Sequence, residues 1–191
     1  MRWLSRAAMP WWIAGGWAID LFLGRKTRDH GDCDIAIRRS DQPALAEALA
    51  GWDIRVAADG ALTPWTVGDW LEGGSRHQFW ARPDSCGEWT LEVLLEEGDE
   101  RRWRYRRDTG VTLAWHRFGR RTADGVPFVA PEVALLYKAR RPDEPKNAAD
   151  FEATLPKLDL EQKAWLASVL DRAHPDHPWR MPLEIGLGGM R

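Results

Sequence analysis

Hydrophobic and polar positions alternate with a two-residue period through most of the first 130 residues, then recur at helical spacing. Trp11 to Ala14 is an apolar run too short for a helix and closed by Gly15-Gly16, which predicts a strand ending in a glycine turn. Trp17 to Leu23 then predicts a short apolar helix, with Gly24 as its left-handed cap. From His30 to Ile37 the alternation predicts a strand. Asp32, Asp34 and Ala36 share one face, while Cys33, Ile35 and Ile37 point into a core. Ser40 to Pro43 opens a helix, with a polar N-cap and a proline in its first turn, that runs to Ala50 before Gly51. Trp52 to Ala57 predicts a strand and Asp59-Gly60 a tight turn. Thr63 to Arg76 is polar, broken by one proline and three glycines, and predicts irregular structure. Strands follow at His77–Ala81 and Trp89–Leu95, the latter with Leu91, Val93 and Leu95 on one face and Thr90, Glu92 and Leu94 on the other.

The later pattern is simpler. Arg101 to Arg107 reads as an edge strand with Arg102, Arg104 and Arg106 opposite Trp103 and Tyr105, and Asp124-Gly125 turns into a short strand, Val126–Ala130. Pro131-Glu132 starts a helix striped by Val133, Leu136 and Tyr137 and ended by Pro142. Asn147–Leu155 and Leu160–Leu170 predict two more helices, before a tail containing His174, Pro175, His177 and Pro178. The fold class is α/β (α+β), a small mixed sheet with flanking helices over 1–130 and a helical subdomain over 131–191.

Composition narrows the choices. At 191 residues, 44% hydrophobic, the chain is long enough for a real core. A net charge of -2 argues against a dedicated nucleic-acid binder. Cys33 and Cys86 give no disulfide framework of the secreted kind. The N-terminal stretch through Trp12 has too short an apolar region for a signal peptide, and no segment reaches membrane-spanning length, so a cytoplasmic location is expected. Thirteen tryptophans raise the alternative of a carbohydrate-binding module. Many of them alternate with aliphatic residues, which favours core packing, and Trp65, Trp70 and Trp80 are left as the candidates for lining a ligand cleft.

The chemistry concentrates in two places. Asp32 and Asp34 lie side by side at the edge of a hydrophobic strand, where two carboxylates repel and call for a cation; Mg²⁺ is the hard cation held by carboxylates together with substrate phosphates. Upstream, Gly15 and Gly16 allow close backbone approach, and the helix that follows offers unpaired N–H groups and partial positive charge to a phosphate. Glu92 is a charge inside an otherwise apolar strand. It reads as a third metal ligand, a general base, or a partner in a structural salt bridge, with Glu96 next in line for the third carboxylate. The arginine stripe reads as a solvated outer face, or as a triphosphate clamp.

The segment from Gly15 to Ile35, GGWAIDLFLGRKTRDHGDCDI, resembles the polymerase-beta-like small nucleotidyltransferases, and among them the aminoglycoside and lincosamide adenylyltransferase-like families. The resemblance continues in PEVALLYKARRPDEPKNAADF and, loosely, in HPDHPW. It implies the polymerase-beta-like fold and Mg²⁺-dependent transfer of a nucleoside monophosphate, AMP from ATP first, to a small-molecule hydroxyl, with two metal ions. It implies that Asp32 and Asp34 bind metal, that Glu92 stands where an aspartate is common, and that Gly15 and Gly16 hold phosphates. Lys138 and Lys146 would meet the nucleotide phosphates, with Arg28 and His30 as flanking contacts. Lys146 is also placed to pair with Asp150 one helical turn on, and Asn147 stands where an acidic residue is common. The rival readings are a toxin-like nucleotidyltransferase acting on protein or tRNA, and a non-catalytic nucleotide-binding relic.

Overall fold

Strand β1 (Trp11–Ile13) is short because the glycine turn cuts it off, and α1 (Gly15–Leu23) begins at once, two residues earlier than the apolar stretch suggested. Gly15 has φ 59°, and Gly24 closes α1 at φ 67° with its N–H on the carbonyls of Asp20 and Leu21. This computed structural model describes residues 4, 7–66 and 68–188. Residues 1–3, 5 and 6, part of the N-terminal stretch read above for a leader, lie outside the described residues, as does position 67 within the stretch read as irregular.

The remaining strands are β2 (Asp34–Arg38), β3 (Asp53–Ala58), β4 (Ala61–Pro64), β5 (Gln78–Arg82), β6 (Leu91–Gly98), β7 (Arg102–Arg104), β8 (Thr112–Ala114), β9 (Gly119–Arg121) and β10 (Pro127–Val129). They form one mixed sheet in the order β4-β3-β5-β6-β2-β1-β10-β9, with β7 and β8 extending from the end of β6. β2 runs parallel to β6 and β1 parallel to β10, and the other pairs are antiparallel. On one face Ile35, Ile37, Phe79, Ala81, Val93 and Leu95 are buried, and Trp65 packs on Phe79 with ring centroids 4.5 Å apart. Alternation places Asp34, Trp80 and Glu92 on the opposite face.

The tryptophans are mostly core. Trp12 stacks on Trp115 at 5.6 Å, and Trp103 packs on Phe118 at 5.5 Å. Trp65, buried and donating from Nε1 to the carbonyl of Asp69, lines with Trp70 a cavity of about 490 Å³ beside Gln42, Ala46 and Ala50, as expected of a cleft. Trp70 is exposed.

Helix α2 (Gln42–Ala48) follows a 3-10 turn, Arg39–Asp41. The expected polar N-cap is absent there: the Asp41 side chain makes no capping bond. After α3 (Trp115–Phe118) come α4 (Pro131–Lys138), α5 (Pro145–Thr154), α6 (Leu160–Ala173) and α7 (Arg180–Gly188). α4 buries Pro131 to Leu136 and packs against α1 and α6. α6 starts with a reciprocal capping box between Asp159 and Gln162.

One expectation fails in part, and two elements appear that the pattern did not predict. β4 runs two residues into the stretch read as irregular, at Thr63 and Pro64; all four of its residues are exposed and no alternation marks it, and Pro64 sits at its end, where a lost N–H costs little. The proline-rich tail is structured as well. His177 donates from Nε2 to the carbonyl of Ala139 at 2.8 Å, Trp179 stacks on Phe151 at 4.3 Å, and α7 follows with Leu183 buried. Among the described residues no helix is long and apolar enough to cross a membrane.

Candidate active site

The parallel pairing of β2 with β6 sets Asp34 directly opposite Glu92, and the antiparallel pairing of β6 with β5 sets Glu92 opposite Trp80. Three neighbouring strands thus carry Asp34, Glu92 and Trp80 in a row on one face. Asp32 precedes β2 on the same side, and its backbone is held by Trp17, whose Nε1 donates to the Asp32 carbonyl at 3.0 Å. The result is one cluster: Asp32, Asp34 and Glu92 each offer an oxygen, and these oxygens lie within 4.8 Å of one another.

The electrostatics follow from the crowding. Burial, then the charge of Asp32, raises the pKa of Asp34 to about 6, against the opposing influence of Lys138 and Lys146. Burial, then Asp34 and Asp32, raises that of Glu92 to about 8. Three carboxylates this close resist ionising together unless a cation joins them. An all-oxygen donor set of this kind suits Mg²⁺.

α1 points its N-terminus at the cluster. Its N-cap, Ala14, has no side-chain oxygen, its first turn holds no acidic residue, and the Ala14 N–H bonds the Asp34 carbonyl at 2.8 Å. Gly15 is required twice over, by its positive φ and because a Cβ there would run into the Asp34 carboxylate. Gly16 is crowded by different groups. A Cβ there would strike the side chains of Arg28 and His30, so the missing atom makes room for protein groups.

Arg28 and His30 are themselves held. His30 Nε2 lies 2.6 Å from Asp20 Oδ2, its ring packs on Trp17 at 4.4 Å, and its side chain is almost fully buried. Asp20 also accepts from the N–H and hydroxyl of Thr27. These bonds hold its pKa below the usual carboxylate value even though burial, the largest influence, pushes upward. Arg28 donates from Nε and Nη2 to the two carboxylate oxygens of Asp150, each at 3.3 Å, and Lys138 meets one of them, Oδ2, at 2.7 Å.

Asp150, 1% exposed at its side chain, therefore ties α5 to α4 and to the loop before β2. The expected helical pair of Lys146 with Asp150 does not form; Lys146 pairs with Glu144 at 3.1 Å and is largely exposed. Asn147, where an acid was anticipated, donates to the carbonyls of Lys138 and Arg141 at the end of α4. Glu96 stands apart from the carboxylate cluster, buried and bonded at 2.6 Å by both Trp103 Nε1 and the Tyr137 hydroxyl. Arg102 and Arg104 are exposed, but β7 lies between β6 and β8 and is not the edge strand expected; Arg104 pairs with Asp99.

The residues that the pattern did not single out are Trp17, Asp20 and Trp89. Asp20 carried a readable signal, a charge inside an apolar helix, which is the reasoning that singled out Glu92.

Comparison with known proteins follows the same outline. A family model, aminoglycoside-2''-adenylyltransferase, matches residues 1–67, a span that holds Gly15, Gly16, Arg28, His30, Asp32 and Asp34 but stops before Glu92, Lys138 and Lys146. Curated 2''-aminoglycoside nucleotidyltransferases of Escherichia coli and Klebsiella pneumoniae are 50% identical over 46 residues, 22% of this chain. That match spans about a quarter (26%) of the length of those relatives.

In fold the likeness is longer. A solution structure of the antibiotic-resistance factor ANT(2'')-Ia aligns with TM-score 0.59 at 18% identity, over 90% of this chain and 87% of the other. A crystal structure of ANT(2'')-Ia in complex with adenylyl-2''-tobramycin gives 0.56 at 21%, over 90% and 92%. The lincomycin-bound lincosamide adenylyltransferase LnuA gives 0.53 at 16%, over 78% and 88%. The chain thus resembles the aminoglycoside-2''-adenylyltransferases in sequence through its first third, and ANT(2'')-Ia and LnuA in fold through most of its length.

Proposed function

We propose that the protein transfers a nucleoside monophosphate, AMP from ATP in the first instance, to a hydroxyl of a small acceptor of the aminoglycoside or lincosamide kind. The observation that carries this reading is the carboxylate cluster Asp32, Asp34 and Glu92 beside the open N-terminus of α1. Asp32 and Asp34, with Glu92 as third donor, would hold Mg²⁺, two ions by analogy with the resembling families. When bound, Mg²⁺ supplies charge neutralisation and Lewis acidity at the phosphoryl oxygens.

The chain's own residues do the rest. The first-turn N–H groups of α1, kept clear by Gly15, receive phosphate oxygens. Lys138 and Arg28, oriented by Asp150, and the freer Lys146 face the departing pyrophosphate. In the transfer, the acceptor oxygen bonds to the α-phosphorus and the bond from that phosphorus to pyrophosphate breaks. The hydroxyl proton passes to Glu92 where that carboxylate is ionised and not engaged as a ligand. His30, locked onto Asp20 and Trp17, orients the turn before Asp32. The reaction belongs in the cytoplasm, where nucleoside triphosphates are supplied. The net charge of -2 sets a tRNA acceptor aside.

The test is incubation with α-labelled nucleoside triphosphates, Mg²⁺ and a panel of hydroxylated antibiotics including tobramycin and lincomycin. Label should move to an acceptor with release of pyrophosphate, and Asp34→Ala should lower kcat by about 10³-fold or more. Absence of transfer to every acceptor, or equal transfer by Asp34→Ala, would overturn the reading.

A further inference from the structure

Beside the carboxylates, Trp80 makes contacts that the transfer chemistry does not use. Its register places it next to Glu92 on the site face, and with Asp32, Glu92, Leu91 and Trp89 it lines a small cleft. Trp89 meets Trp80 edge-on with centroids 6.0 Å apart. Arg82 covers a face of Trp89 at 4.2 Å and is itself fixed by Asp53 and by the Gly87 carbonyl. The two indoles are therefore held in place by protein on the side away from the carboxylates.

Trp80 also borders a second cavity of about 420 Å³, with Ala57, Leu62, Ser75, His77 and Gln78 among its lining residues. Pairing of Arg55 with Trp80 and of Ala57 with Leu62 puts the strand residues of that cavity on the site face too. Finally, Trp80 Nε1 is buried and has no hydrogen-bond partner. A buried indole N–H is ordinarily satisfied, so this one calls for an acceptor atom from a bound molecule.

We propose that Trp80 is the platform on which the acceptor substrate lies, and that the acceptor is a hydroxylated ring compound with an apolar face and little positive charge. The chemistry of the second cavity sets the charge. It offers an amide, a hydroxyl, an imidazole and indole edge, and its one carboxylate, Asp59, already accepts from Ser75. A polycation needs several carboxylates to replace its hydration; the second cavity has Asp59 alone among its lining residues, and Asp32, Asp34 and Glu92 are taken up by the cation of the transferase reading. A ring with one apolar face stacks on the indole, presents an oxygen to Nε1, and brings a hydroxyl over Glu92. The identification of that hydroxyl as the reacting one rests on the transferase reading; the platform rests on the geometry.

The test is calorimetric titration of lincomycin, a low-charge glycoside, and tobramycin, a polyamine, into full-length protein loaded with Mg²⁺ and a non-hydrolysable ATP analogue. Lincomycin should bind the wild type more tightly. Trp80→Ala should weaken it about tenfold or more, and Trp80→Phe, which keeps a ring but loses the N–H, by less. Affinity for the ATP analogue should stay within about twofold in both variants, which also shows that they fold. Unchanged lincomycin binding in Trp80→Ala, parallel loss of the ATP analogue in both variants, or tighter tobramycin binding would each overturn the proposal. The same proteins assayed for transfer separate the two claims. Binding that follows this pattern without turnover leaves the platform standing and removes the transferase reading, and turnover indifferent to Trp80 does the reverse.

Discussion

At the scale of single residues, the site is a set of charges placed where they are costly unless accompanied. Glu92 is the clearest case. Its carboxyl is raised from an ordinary value to about 8 by burial and by Asp34 and Asp32. Between the unfolded value near 4.5 and that figure the native state holds more protons than the unfolded one, so stability falls as pH rises. In protein stripped of divalent cations, Tm should therefore decline from pH 5 to pH 8. Glu92→Gln should flatten the decline and raise Tm at pH 8 by about 3–6 °C. Differential scanning calorimetry in chelator measures both, and an unaltered slope in the Gln variant would show that Glu92 is not the group responsible. Added Mg²⁺ should restore the wild type and stabilise the Gln variant less, because a ligand that binds only the native state adds stability by mass action.

At the scale of elements, each helix and strand is held by a different kind of contact. α6 has its capping box, and Asp159→Ala should lower stability by about 1 kcal/mol while leaving any transfer rate unchanged, since α6 supplies no group to the carboxylate cluster. Chemical denaturation checks the first claim, and a loss beyond about 2 kcal/mol would mean the cap also holds the contact of Gln162 with buried Glu132. This element was legible in outline, as were β1, β2, β6 and α4, because strong alternation, Gly24 and a proline at N1 all act within one segment. β4 and α7 were not. β4 exists through its pairing with β3, and α7 through a tail whose His177 and Trp179 are buried by α4 and α5 residues distant in sequence. The site divided in the same way. Asp32, Asp34 and Glu92 announced themselves as charges out of place on strands. The partners of Arg28 and Lys138 did not, because helical spacing offered Asp150 a nearer partner, Lys146, and only the packing of α5 against α4 reassigned it.

At the scale of the molecule, we propose the division near residue 130 as one of chain order and not of stability. α4 buries six consecutive residues, packing on α1 of the α/β part as well as on α6, and the contact of Arg28 with Asp150 crosses the same boundary. Thermal unfolding should accordingly be one cooperative transition, with calorimetric and van't Hoff enthalpies equal. Two resolved transitions would contradict this.

The shared carboxylate of Asp150 has a kinetic consequence. Arg28 and Lys138 bring two positive charges and Asp150 removes one, so under the proposed transferase function the pair would offer an approaching triphosphate a single net charge (2 − 1 = 1). Long-range attraction is thereby muted, and the rate of nucleotide encounter should vary only shallowly with ionic strength. Neutralising the bridge with Asp150→Asn should steepen that dependence, as stopped-flow association at several salt concentrations would reveal. On the proposed function, the protein would give up speed of capture for cations that are already aimed when the nucleotide arrives.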